Sequence, residues 1–196
     1  MKDTPRSLLD RLCLESDATS WKRLVDLYTP LLRAWLCAQL PPADVDDLVQ
    51  DVLAVVVREL PDFRHNSHRG AFRRWLRTIT YNRLKGYWRT RRTRGVSAAG
   101  GEAAVMLNCI ADPASDPDKH WEREHDEFIV RRALELLEPE FTATTWQAFW
   151  RQVIDGAKPA EVGVELGLTP NAAVLAKFRV LRRLRRELDG LTDSCP

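Results

Sequence analysis

A chain of 196 residues, 44% of them apolar, is long enough for one large domain or two small ones, and no apolar run reaches membrane-spanning length. The formal net charge of +2 singles out no class of partner by itself. The distribution says more: twelve Lys/Arg against Glu59 and Asp62 between Arg58 and Arg94, seven acids against Lys119 and Arg123 between Asp112 and Glu127, and six Lys/Arg without an acid from Lys177 to Arg186.

The N-terminal MKDTPRSLLDRL lacks the apolar centre and small-residue cleavage site of a signal peptide, so a cytoplasmic location is expected. Ser7 to Leu14 reads as a short amphipathic helix carrying Leu8, Leu9 and Leu12. A cap signal at Asp17 to Ser20 opens a longer helix with Trp21, Leu24, Val25, Tyr28, Leu31, Leu32, Trp35 and Leu36 at three- and four-residue steps. Pro30 falls inside that pattern as a candidate kink, and Pro41-Pro42 ends it. Cys13, Cys37, Cys109 and Cys195 are far apart and form no CxxC pair, which argues against a metal site or a disulfide framework.

A third helix is expected from Ala43 to Leu60, stopped by Pro61, with Val45, Leu48, Val49, Val52, Leu53, Val56 and Val57 as its apolar set. The valines would also suit a strand. The acids Asp44, Asp46, Asp47 and Asp51, with Gln50 on the complementary face, favour a helix N-terminus instead. The turn-rich loop PDFRHNSHRG leads into FRRWLRTITYNRLKGYWRTRRTR, where Phe72, Trp75, Leu76 and Ile79 mark a buried face. Basic residues fill the rest of that stretch without one acid. Tyr81, Asn82, Tyr87 and Trp88 add rings and an amide able to stack on or read bases, so a polyanion is the natural partner.

Gly95 to Asp118 is rich in small, proline and acidic residues and reads as a linker. Beyond it Trp121, Phe128, Ile129, Leu134 and Leu137 predict a helix broken at Pro139, and Trp146, Phe149, Trp150 and Val153 predict another that stops at Gly156. KPAEVGVELGLTPNAAVLAKFRVLRRLRREL then has the form of a helix-turn-helix. Val162 and Leu166 are its first buried side, Gly167 makes the turn, Leu168 plugs the angle, and Thr169-Pro170 starts the second helix. That helix is expected to bury Ala173, Ala176, Val180 and Leu184. The reading is all-α: two small helical domains, residues 1–94 and 119–196, joined by a flexible linker at 95–118.

DVDDLVQDVLAVVVRELPDFR followed by RGAFRRWLRTITYNRLKGYWRTRR resembles region 2 of the extracytoplasmic-function (ECF) sigma factors of bacterial RNA polymerase. The C-terminal stretch from LEPEF to RRLRREL resembles their region 4, in a planctomycete-type variant whose second helix reads AKxRVLxRLR. The resemblance spans nearly the whole chain. It implies that the helix from Asp44 to Leu60 docks on the β′ clamp helices of core polymerase, with Asp46, Asp47, Gln50 and Asp51 as contact residues. It implies that Phe63 to Arg92 holds the start-proximal (−10) promoter element: Arg64, His65, Asn66 and Arg69 in the loop, and Arg73, Arg77, Tyr81, Asn82, Lys85, Trp88 and Arg89 on the helix. Trp75 fits the core stripe instead.

For the upstream (−35) element, it implies that the second helix of the C-terminal pair enters the major groove. Asn171 and Lys177 are the base-reading candidates, Leu175 shares their face, and Arg179, Arg182 and Arg183 are placed on phosphates. Here the chain departs from the commoner family form VKSRLHRAR, which has polar and basic residues where this one has Val174, Leu175 and Ala176; Phe178 is also bulky beside the contact face. The acidic segment from Asp112 to Glu127 suits either mimicry of RNA phosphates within the polymerase or a plain solvated tether. An anti-sigma factor is a partner common in the family. No cofactor or catalytic residue is implied, and the sequence contains no GxSxG, P-loop or HExxH. His65 and His68 lack metal-ligand spacing to the helix-start acids. The alternative reading is a free-standing helix-turn-helix regulator that binds duplex DNA without polymerase.

Overall fold

The computed structural model describes residues 7–14, 17–63, 70–93 and 116–192. Among them every regular element is helical, with no strand, and no helix is long and apolar enough to cross a membrane. The elements are α1 (Leu8–Leu14), α2 (Ala18–Cys37), α3 (Pro42–Glu59), α4 (Ala71–Thr93), α5 (Asp116–Leu137), α6 (Ala143–Val153), α7 (Pro159–Leu166) and α8 (Pro170–Leu188), with short 3-10 turns at Leu60–Asp62 and Glu138–Glu140.

The helix starts follow from capping chemistry. Ser7 Oγ accepts from the Asp10 amide at 3.1 Å while Asp10 accepts from the Ser7 amide at 3.3 Å, so each satisfies an orphan donor of the other. Asp17 caps α2 by accepting from the Ser20 amide at 2.8 Å, and the Ser20 hydroxyl, with that amide, lowers its carboxyl pKa. Pro30 leaves α2 unbroken, with the helix running through it to Cys37. A proline supplies no amide to the carbonyl four residues back. That carbonyl, on Asp26, accepts from Arg132 Nε at 3.1 Å, so a side chain of α5 takes the vacant bond.

α3 buries Val45, Leu48, Val49, Val52, Val55 and Val56. The expected apolar set erred at one position: Val57 is exposed and Val55 is buried in its place. The 100° step explains this, because 45, 48, 49, 52, 55 and 56 share one face and 57 has rotated off it.

The larger core draws on both sides of the expected linker. α5 places Trp121, His125, Ile129, Ala133 and Leu137, one every four residues, against α2. Trp121 packs edge-on to Trp35 with centroids 5.5 Å apart, and the buried His125 Nε2 lies 3.4 Å from the Tyr28 hydroxyl. Leu184, Leu188 and Leu191, from the end of α8, join the same cluster. α5 and the C-terminal end of α8, from the second expected module, therefore pack into the core built by the N-terminal helices. Residues 94–115, most of the expected linker, lie outside the described residues, and 116–118 begin α5.

A second, smaller core of Ala148, Val162, Ala173 and Ala176 ties α6, α7 and the start of α8 together. Gly167 turns the chain between α7 and α8 at φ 66°, a left-handed conformation that suits glycine. Leu168 packs on the small core, as expected of a plug between the helices. Gln152 Nε2 donates to the carbonyls of Ala148 at 2.7 Å and Ala173 at 2.8 Å, fastening α6 to α8.

Candidate nucleic-acid interface

α4 carries the basic residues, and its rotation sorts them into two groups. Phe72, Leu76, Ile79, Thr80 and Leu84 face the core, so the helix cannot turn about its axis. Tyr28 meets Phe72 edge-on at 5.4 Å, and Phe63 lies 4.7 Å from Trp75. Half-buried Trp75 thus serves packing, in line with its place on the core stripe.

Asn82, Lys85 and Arg89, at steps of three and four, share the outer face with Arg74 and Thr78. This stripe offers an amide and the cations of Arg74 and Arg89 to solvent, with Lys85 half-buried among them. Arg74, omitted from the expected contact residues, belongs to it; the exposed i, i+4 relationship to Thr78 and Asn82 was the available signal.

Arg73, Arg77, Tyr81 and Trp88 lie on the side turned toward neighbouring helices. Arg73 donates to Asp126 of α5 at 3.2 Å and is half-buried. Arg77 places its guanidinium 5.3 Å from the Tyr81 ring centre. Tyr81 itself is only 7% exposed and packs on Trp35 at 5.1 Å. Its expected role as a base-stacking ring is corrected on that ground: both the ring and its face are spent inside the core. Trp88 meets Tyr87 edge-on at 5.2 Å, and its buried indole nitrogen has no hydrogen-bond partner among the described residues. Arg64, His65, Asn66 and Arg69 lie outside the described residues.

On α3, Asp46, Asp47, Gln50 and Asp51 are all exposed. Arg33 pairs with Asp46 at 2.6 Å, which leaves Asp47 and Asp51, with the amide of Gln50 beside them, as the acidic outer edge. Asp44 is directed elsewhere: it accepts from the Tyr87 hydroxyl at 2.7 Å and from Arg91 at 2.7 Å, while Arg91 also contacts the Tyr87 oxygen. Burial, and then the bond to Asp44, raises the Tyr87 pKa. A groove runs between α3 and α4, with Asp44 and Asp51 on the α3 side and Asn82, Arg83, Tyr87 and Arg91 on the α4 side, so acids and cations face each other across it.

The C-terminal pair presents a different surface. Thr169 caps α8 by accepting from the Ala172 amide at 3.1 Å, and Ala173, Ala176, Val180 and Leu184 are buried as expected. Asn171, Leu175, Arg179 and Arg182 are exposed, and Lys177 is half-buried with its ammonium 5.8 Å from the Phe178 ring centre. Arg183 is corrected. Its guanidinium donates to Glu140 at 2.8 and 3.0 Å and also to Glu187, so this fork is occupied within the chain and does not extend toward a phosphate.

The chain thus carries an acidic edge on α3, an acid-free basic stripe on α4 and a helical pair with a cationic outer face, a pattern suited to contact with nucleic acid and with a protein partner. Residues 24–94, a little over a third of the chain, match the Sigma-70 region 2 family, from α2 to the end of α4. The match supports a sigma-factor kinship for this segment. No curated protein matches the chain.

Proposed function

We propose that the chain is an ECF-type sigma factor: it docks on the β′ clamp helices of core RNA polymerase through Asp46, Asp47, Gln50 and Asp51, grips the −10 element through α4, and reads the −35 element with α7 and α8 as a helix-turn-helix. The observation that carries the reading is the separation of charge across the groove between α3 and α4 inside the segment that matches Sigma-70 region 2. Acids on one lip suit an arginine-rich protein partner, and cations on the other suit a phosphate backbone.

On α4 the outward set Arg74, Asn82, Lys85 and Arg89 is the proposed track for the strand. The chemistry is differential binding. Extruding a base from the duplex costs a few kcal/mol. Phosphate contacts along the cationic stripe supply salt-dependent affinity for the opened strand and offset part of that cost. The polymerase performs the chemistry of RNA synthesis.

In vitro transcription on a pool of promoter fragments, with core polymerase and read by sequencing, tests this. Initiation from a defined subset only when the chain is added supports it. Absence of core binding, with tight sequence-specific duplex binding by the chain alone, would replace it with a free-standing regulator.

A further inference from the structure

The outer face of α8 is not uniformly polar. Asn171, Leu175, Phe178 and Arg182 stand at i, i+4, i+7 and i+11 and form one exposed stripe opposite the buried Ala173, Ala176, Val180 and Leu184. Leu175 is 47% and Phe178 56% exposed, in the centre of a surface that carries Lys177, Arg179, Arg182 and Arg185 and has no acid from Pro170 to Arg186. The Thr169 cap, the Gln152 bond to the Ala173 carbonyl and the packing of Leu168 hold the helix in this rotation. A helix that needed only solubility would not place its two largest exposed apolar side chains on the middle of its cationic face.

Resting on the proposed function, we infer that Leu175 and Phe178 form an apolar reading edge that selects thymine in the upstream element by its 5-methyl group. The charge of the surrounding face calls for a polyanion. Within the major groove, thymine alone among the four bases presents an apolar group; the edges of guanine, adenine and cytosine offer donors and acceptors. Pressed against Leu175 and Phe178, those polar edges lose water and gain no partner, whereas the methyl group gains contact. The Lys177 ammonium near the Phe178 ring supplies a cation beside the same contact. Asn171 at the N-terminal end and Arg182 at the other bracket the apolar pair with hydrogen-bonding groups.

The test uses the full chain bound to core polymerase and a randomised duplex pool. Sequences enriched by selection are resynthesised with deoxyuridine replacing one thymine at a time, which removes only the methyl group. One or two upstream thymines are expected to show about fourfold weaker binding on this change, the worth of one buried methyl. Phe178→Ala and Leu175→Ala, both at exposed positions, are expected to keep their helical content and thermal midpoint and to lose that sensitivity, each at its own thymine. An enriched upstream element with no deoxyuridine-sensitive position, or sensitivity that survives in both variants, overturns the inference and leaves the sigma-factor reading standing. Loss of core binding rather than of thymine preference in Phe178→Ala overturns it in favour of a protein partner for this edge. Failure to enrich any upstream element overturns both.

Discussion

Arg23 and Glu187, 164 positions apart, meet at 2.8 Å between Nε and a carboxylate oxygen. The Glu187 side chain is fully buried, and it also meets Arg183 and, at 3.7 Å, Arg11. Arg23 donates further to the Leu136 carbonyl at 2.8 Å and to Glu140 at 3.2 Å. One carboxylate thus gathers cations from α1, α2 and α8, and links the N-terminal helices to the end of the cationic helix.

Removing this carboxylate takes the buried partner from Arg23 and Arg183 and leaves them only the exposed Glu140 as an acid, at a cost of about 3 kcal/mol. Glu187→Gln is therefore expected to lower the thermal midpoint by about 6–12 °C, measured by circular dichroism. Burial pushes the Glu187 carboxyl up, but the hydrogen bonds and charges of Arg183 and Arg23 outweigh it and hold the pKa below the usual glutamate range. A carboxyl depressed in the folded state contributes its stability above its unfolded pKa and loses it as pH falls through the folded one. The wild-type midpoint should fall more steeply than that of Glu187→Gln as pH drops below about 4, and parallel curves would refute the assignment.

The acidic edge of α3 predicts a different signature. Asp47 and Asp51 are exposed, and no hydrogen bond or ion pair of theirs occurs among the described residues. Asp47→Ala with Asp51→Ala should weaken binding to core polymerase about tenfold or more, as expected when charged contacts to a basic partner are lost. The thermal midpoint should stay within about 2 °C, since surface substitutions cost little. Unchanged affinity in a core-binding titration would place the docking face elsewhere.

On α4 the two groups of basic residues should separate by assay. Lys85→Ala and Arg89→Ala on the outer stripe are expected to weaken binding of the holoenzyme to single-stranded promoter DNA. Each should reduce the slope of log affinity against log salt by about one. Arg73→Ala should instead lower stability, because Asp126, which also meets the buried His125, then loses the guanidinium beside it. A salt slope altered by Arg73→Ala with no change in melting would reverse the division.

Most of the helices could be read from the sequence because local rules set them. Period-3.6 leucines and valines, the Asp17 and Thr169 caps and the prolines at 41, 42, 61 and 170 mark α2, α3 and α8 closely. The division of α4 into inner and outer residues was less accessible. Tyr81 and Asn82 are adjacent, and the 100° between them puts one against Trp35 and the other in solvent. An aromatic among arginines reads alike whether it stacks on a base or on a tryptophan. The shared core was hidden for a second reason. Leu184, Leu188 and Leu191 announce a buried face without naming its partner, and no local pattern records a contact between Arg23 and Glu187.

Close packing of α7 against the following turn gives the last prediction. Leu168 donates its amide to the Gly163 carbonyl at 2.8 Å, and a Cβ at Gly163 would sit 2.7 Å from the Leu168 carbonyl oxygen. That neighbour is backbone and cannot swing aside as a side-chain end would. Gly163→Ala must therefore push α7 away from the turn that sets the entry of α8, with an expected loss of about 1–3 kcal/mol from overpacking. The small core of Ala148, Val162, Ala173 and Ala176 offers few large side chains to absorb the shift, so the strain should fall on the rotation of α8. Recognition of the upstream element should drop while binding to core polymerase through α3 persists, because α3 packs in the other core. Paired measurement of upstream-element affinity and core affinity on this one variant distinguishes local distortion from general unfolding, which would lower both together.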